Sequence, residues 1–244
     1  MKKNENFIEA LNYRRSVRVY DEAKELNSQL VKKCIEQATL APNSSNMQLW
    51  EFHHVTSKQV REKIATACMG QSAAVTAKEL LVVVVRKDLW KKRTKANLNY
   101  LKLVFGDKPT SEYSRREKFA FTYYTKIMPF VYGEFLGIFG CIKYISSWIT
   151  GLFKPSYRQL RKSDMRVVAH KSAGLAAQTF MLSMAAEGYD TCPMEGSDTL
   201  RIKKILNLPS SSEINMVISC GIRKPEGVYG SRFRIPFDEV YKQW

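Results

Sequence analysis

Apolar residues recur at helical spacing through the first third of the chain. Phe7, Ile8 and Leu11 share one face of residues 4–14, and Leu30, Val31, Cys34, Ile35 and Ala38 form a second stripe. Asn27 stands where an N-cap is wanted before that stripe, and Pro42 ends it. "LWEFHHVT" (49–56) alternates and reads as a strand, and "SKQVREKIATAC" from Ser57 reads as a helix that Ser57 caps. "ELLVVVV" (79–85) is an unbroken apolar run, as expected of a central strand buried on both faces. Residues 166–187 predict a long helix with an unusually small centre (Ala173, Gly174, Ala176, Ala177), stopped by Gly188. "TLRIKKILNL" predicts a short helix, "INMVISCGI" a second buried strand, and the tail from 224 an extended segment. Helices and a few strands are therefore interspersed. The expected fold is α+β or α/β, one sheet covered by helices in a single domain over 1–244.

Residues 88–165 interrupt this order. Their first part is basic and aromatic, with Tyr113, Phe119, Phe121, Tyr123 and Tyr124 close together. Residues 127–153 are 27 positions long with only Glu134 and Lys143 charged. That length could cross a bilayer, but those charges, Pro129 and the glycines Gly133, Gly137 and Gly140 argue against a spanning helix. Two readings stay open: a helical lid packed in a dimer or over a site, and a peripheral membrane contact flanked by Lys and Arg.

Charge narrows the field. Lys and Arg number 39 against 23 Asp and Glu, a formal +16 over 244 residues. Residues 86–166 hold 18 basic and 6 acidic side chains, so a third of the chain carries a net +12. A basic balance suits nucleic acid, anionic lipid or an anionic small molecule. No zinc-finger spacing, RNP motif or heptad basic region is present, which speaks against nucleic acid. Three histidines without HxxxH spacing speak against a metal. Five cysteines without a CxxC pair, each in an apolar context, suit reduced core thiols in the cytoplasm, and the N-terminus has no signal-peptide pattern.

Four segments could carry chemistry. "RRSVRVYD" (14–21) sets Arg14, Arg15, Ser16 and Arg18 together with Asp21 as its only acid. Guanidinium groups grip phosphate or carboxylate, though a solvated basic face is the plain alternative. "APNSSNMQLWEF" (41–52) offers Asn43, Ser44, Ser45, Asn46 and Gln48, whose amides match a planar heterocycle's edge, or else make a turn. "CPMEGSD" (192–198) contains Gly196, which allows close backbone approach. "SRFRIPFDEV" (231–240) projects Arg232 and Arg234 to one side if extended.

The order of these segments resembles the nitroreductase family of FMN-dependent oxidoreductases. The resemblance covers 7–85 and 166–240 and leaves 88–165 as an insert. It implies an α+β fold with a central mixed or antiparallel sheet flanked by helices, and a homodimer with FMN at the subunit interface. On that pattern Arg14, Arg15 and Ser16 hold the phosphate and ribityl region, and Arg18 lies near the flavin pyrimidine edge. Pro42, Asn43, Ser44 and Asn46 come from the partner subunit to line the ring, assisted by Gln48. Gln71 sits where the family often places an Asn that bonds the ring carbonyl region. The backbone of Pro193, Met194, Glu195 and Gly196 approaches the flavin, and Arg232 and Arg234 complete the phosphate site. NADH or NADPH is the implied electron donor, and the acceptor a nitroaromatic, quinone-like or similar electrophile. No acid–base dyad is required, because the flavin carries the chemistry. No GxGxxG follows a strand, so a Rossmann domain for the donor is not expected. No Glu-x-x-x-Tyr pair occurs in 88–126, which disfavours iodotyrosine-type dehalogenation, while flavin fragmentation stays open. A flavin-binding or membrane-surface protein without turnover is the rival class.

Overall fold

The computed structural model describes residues 3–134 and 138–244. The fold is α+β, built on a four-stranded sheet of order β1-β2-β4-β3 in which every pairing is antiparallel. β1 is Trp50–Val55, β2 Glu79–Val85, β3 Asp190–Met194 and β4 Glu213–Gly221. Every residue of β2 is buried. Its alternation divides one apolar run between two cores. Leu81, Val83 and Val85 face one cluster, and Leu80, Val82 and Val84 the other.

The first core is closed by α2 (Ser28–Ala38) and the 25-residue α9 (Lys162–Ala186), which pack on each other. Val31, Cys34 and Ala38 of α2 are buried, and Asn27 caps the helix, its Oδ1 accepting from the Gln29 and Leu30 amides at 3.0 and 3.3 Å. α9 begins at Lys162 rather than 166, because Asp164 accepts the Arg161 N–H at 3.0 Å and secures an earlier turn. Ala173, Ala176 and Ala177 are fully buried along it, and Gly188 follows at φ +76°, a left-handed stop that favours glycine. The second core is closed by α3 (Lys58–Ala67) and α4 (Ser72–Val75), with α10 (Thr199–Ile205) alongside α3. Ser57 holds the N-cap position of α3, but its side chain makes no capping bond.

β3 is absent from the sequence expectation. It is only five residues long and contains Pro193, whose missing N–H is tolerated at a sheet edge. β4 carries a bulge: Val83 pairs with Met216 and Val84 with Ile214, so Asn215 is the extra residue. Tyr20 is wholly buried against the sheet, its hydroxyl 2.8 Å from Ser219 Oγ. A Cβ at Gly221 would collide with the Tyr20 ring.

α1 (Lys3–Tyr13) packs on α9 through buried Ala10, while Phe7, Ile8 and Leu11 stay exposed. Their stripe is real, but it does not face this chain's own core.

Between β2 and α9 the chain is helical: α5 (Trp90–Phe105), α6 (Arg115–Thr122), a π-helical turn (Tyr123–Ile127), α7 (Met128–Tyr132) and α8 (Ile138–Phe153). Lys143, charged within the apolar run, is buried on α8. Its ammonium donates to the carbonyls of Phe130, Val131 and Gly133 at 3.0, 3.3 and 2.8 Å and lies 3.4 Å from Glu134. A cation thus finishes the C-terminal end of α7. Ile142, Ile145, Ile149 and Leu152 are exposed on α8. No helix among the described residues is long and apolar enough to cross a membrane. Gly137, one of the glycines set against a spanning helix, lies outside the described residues. Four of the five cysteines are buried, but Cys141 is exposed on α8, contrary to the expectation of core thiols throughout.

Candidate active site

The arginine segment leaves the end of α1 and runs beside the start of β3. Ser16 pairs with Thr191, the Val17 N–H donates to the Thr191 carbonyl at 3.2 Å, and the Arg18 N–H donates to the Gly227 carbonyl at 2.6 Å. Buried Val17 fixes the alternation, so Ser16 and Arg18 turn the other way. The C-terminal tail closes over them. Arg15 donates to the Gly230 carbonyl at 2.8 Å. The Arg232 guanidinium donates to the carbonyls of Leu11 and Asn12 at 3.2 and 3.0 Å and to that of Arg14, placing a cation on the C-terminal end of α1. Arg234 bonds only its neighbour, the Phe233 carbonyl, at 2.7 Å.

This cluster lacks a counter-charge. Among the described residues, no ion pair includes Arg14, Arg15, Arg18, Arg232 or Arg234. Burial, together with the charges of Arg232, Arg234 and Arg15, pushes the Arg14 guanidinium below its ordinary pKa. Its buried Nε has no hydrogen-bond partner. Such a group of like charges calls for an anion, and several guanidiniums suit one bearing more than a single charge, such as a phosphate monoester. The residues present therefore fit the phosphate end of FMN.

β3 joins this cluster to a second segment. Burial raises the Cys192 thiol pKa while Arg18 and Arg14 oppose the rise, so both arginines lie near that residue. Pro193 and Met194 end the strand, and Glu195 and Gly196 are exposed just beyond it. The Met194 side chain is buried in the second core. Gln71, immediately before α4, donates from Nε2 to the carbonyls of Gly196 at 2.9 Å and Cys68 at 3.0 Å. Two segments distant in sequence are thereby stitched together.

The loop after Pro42 lies at the α2–β1 junction. Ser45, Asn46 and Gln48 all have left-handed backbones, with φ of 55°, 49° and 47°. Such strain persists only where the surroundings over-determine it. Asn43 Oδ1 accepts the Gln48 N–H at 2.8 Å, and the Ser44 N–H donates to Ser172 Oγ of α9 at 3.3 Å. The rest of the support comes from the insert. Asn97 of α5 donates to the Asn46 carbonyl and accepts from Asn46 Nδ2, both at 3.0 Å. Tyr124 donates to the Ser45 carbonyl at 3.0 Å, and the Tyr123 hydroxyl lies 2.7 Å from Ser45 Oγ. The π-helical turn starting at Tyr123 brings these consecutive tyrosine hydroxyls onto one residue. Sequence reading missed Asn97, Tyr123 and Tyr124 as supports. The density of aromatics over 113–124 was the available signal.

The structure thus brings Arg14, Arg15, Ser16, Arg18, Arg232 and Arg234 together, with Pro193–Gly196 at the end of β3 and Gln71 bonded to Gly196. The loop Pro42, Asn43, Ser44, Asn46 and Gln48 forms a separate group, held by α9 and the insert rather than by the arginines. Among the described residues, no nucleophile–base pair accompanies either group. His54 bonds Glu79 at 2.6 Å and His170 bonds Glu213 at 3.2 Å, both within the fold's framework. Ser28 also bonds Glu79, so the acid rather than the imidazole stands in the middle. Among the described residues no cluster could hold a metal ion.

Comparison with known proteins matches this geometry to one group. MhqN of Bacillus subtilis, named for NAD(P)H nitroreductase activity, is 26% identical over 233 residues, 96% of each chain. The crystal structure of ydfN from the same organism, named as a nitroreductase, superposes with a TM-score of 0.74 at 25% identity, covering 99% of this chain and 100% of that one. A nitroreductase from Exiguobacterium sibiricum, solved in complex with FMN, shares the fold with a TM-score of 0.66 at 21% identity, covering 98% and 97%. The sequence model of the nitroreductase family matches residues 11–222, most of the chain and a span that takes in the insert, and this chain belongs to that family.

Proposed function

We propose that this protein is an FMN-dependent oxidoreductase that takes hydride from NADH or NADPH and delivers it to nitroaromatic, quinone-like or similar electrophilic acceptors in alternating half-reactions. The observation that carries this reading is the set of arginines without an acidic partner, with a buried, unbonded Arg14 Nε in its midst. A phosphate dianion would satisfy that charge, and the named activity of MhqN and the FMN bound by the Exiguobacterium protein support flavin as its carrier. FMN supplies two-electron hydride chemistry between donor and acceptor.

The chain's own residues bind and orient. Arg14, Arg15 and Ser16 hold the phosphate, with Arg234 adding charge and Arg232 fixing the end of α1 from which they project. Arg18 stands toward the pyrimidine edge, where a cation favours the reduced, anionic ring. Gln71 secures the Gly196 carbonyl, so the Pro193–Gly196 backbone can lie against the ring edge. The Pro42–Gln48 loop reaches a partner subunit's site, in a homodimer to which exposed Phe7, Ile8 and Leu11 contribute apolar surface. In this reading the chain is one cytoplasmic domain, 88–165 is a lid-like insert, and membrane contact plays no part.

The test is direct. The purified protein should be yellow, release FMN on denaturation, and lose its visible flavin band when NADH or NADPH is added without oxygen. A colourless protein that fails to take up added FMN overturns the reading. A yellow protein bleached by neither donor leaves a flavin-binding protein without turnover.

A further inference from the structure

The insert borders a half-open cavity that shares no residue with the proposed flavin site. It has a volume of about 1050 Å³ and lies between the end of β2, α7, α8 and the start of α9. That is the upper end of the range for small-molecule sites, roughly 300–1,000 Å³. Its apolar wall includes Trp90, Phe130, Val131, Tyr132, Ile142 and Met165, with Trp90 and Tyr132 stacked at 6.2 Å and 19°.

Its polar wall is unbalanced in charge. The lining acids already have cationic partners: Asp88 with Arg86 at 2.9 Å, Glu134 with Lys143 at 3.4 Å, and Glu213 with Arg166 and His170. Lys143 in turn is committed to three carbonyls. Lys87, Lys91 and Lys162 also line the cavity and take part in no ion pair among the described residues. Lys87 and Lys162 are neighbours, since the Lys87 ammonium lies 3.4 Å from the Lys162 carbonyl. Burial holds Lys87 below its ordinary pKa; the charges of Glu213 and Glu134 pull the other way, and those of Lys162 and Arg166 add to the fall. An ammonium drawn partly out of water beside another lysine is a favourable place for an anionic head group. The aromatic and aliphatic wall suits a hydrocarbon body.

We propose that this cavity binds a single-chain anionic amphiphile, its head group at Lys87 and Lys162 and its chain along the α7–α8 wall. The inference goes beyond the flavin reading and does not depend on it.

The protein as purified is titrated with cis-parinaric acid, a fluorescent single-chain carboxylate, and with its neutral methyl ester. Saturable binding of the acid is expected, weakened about tenfold for each lysine lost in the Lys87→Gln/Lys162→Gln variant, with the ester indifferent to that change. Flavin content and melting temperature verify that the variant is folded. Ile142→Trp, which fills the apolar wall, should weaken acid and ester alike. Displacement of the probe by palmitate assigns the head group to a free carboxylate, and displacement by lysophosphatidate assigns it to a phospholipid product. Absence of saturable acid binding overturns the inference. So does equal acid affinity in the wild type and both variants.

Discussion

Single residues decide the chemistry and part of the pH response. Arg14 sits half-buried among like charges, so its loss should be felt by the anion it serves. Arg14→Ala is expected to weaken FMN binding roughly ten- to hundredfold by fluorescence titration, the scale of one or more charge-assisted hydrogen bonds. Lys32→Ala, on exposed α2 surface, should leave it unchanged. Glu79 makes a different contribution. Burial opposes its charge, but hydrogen bonds from His54 and Ser28 prevail and hold its pKa below the ordinary carboxylate value. A depressed folded pKa stabilises the protein above the unfolded value, and that stability is lost as pH falls through the folded one. The melting-temperature advantage of wild type over Glu79→Gln should therefore be full at neutral pH and shrink on acidification. At this scale the sequence made the arginines legible, because Arg14, Arg15 and Arg18 stood with one acid, Asp21, and Arg232 and Arg234 alternated near the other end of the chain. It could not make Lys143 or Asn97 legible, since most of their partners are backbone carbonyls, which every sequence contains.

Elements show why some boundaries were readable. The helix stripes, the Asn27 cap and the all-apolar β2 declare themselves by period and composition. β3 does not, because five residues with a proline look like loop until an edge position is known. The insert is helical, as expected, and what stayed hidden is its tie to the Pro42–Gln48 loop, because Asn97, Tyr123 and Tyr124 meet residues far away in sequence. Asn97→Ala and Tyr124→Phe should each lower turnover with a nitroaromatic acceptor by roughly tenfold, as a loop relaxed from its left-handed backbone misplaces what it lines. The melting temperature should fall far less than activity, a split that steady-state kinetics and calorimetry together can read. α7 and α8 form a unit of their own around Lys143. Lys143→Met removes the cation from three carbonyls and Glu134, a loss on the order of 3–5 kcal/mol if it fell on the whole fold. The expected result is faster chymotryptic cleavage within 127–153, with the core's unfolding transition little moved.

Across the whole molecule, the sheet separates two cores, and the antiparallel order was only half foreseen. An apolar run such as β2 suits a doubly covered strand of either kind, so mixed and antiparallel sheets stayed equal until pairing was visible. The site's division into an arginine half and a loop half was likewise beyond sequence, because it depends on which elements lie side by side. The bulge at Asn215 has an effect that reaches both cores. Beyond it, Ile214 joins Val84 in the second core, while Glu213 turns toward α9, Arg166 and His170. By strict alternation Ile214 would share a face with Met216, which packs against the first core; the bulge places the two on opposite faces. An unpaired residue in the middle of a strand thus works as a parity switch. Deleting Asn215 would keep Ile214 opposite Val84 and Glu213 opposite Val85, so the melting temperature should fall no further than in Asn215→Ala, which loses the same bonds to His170.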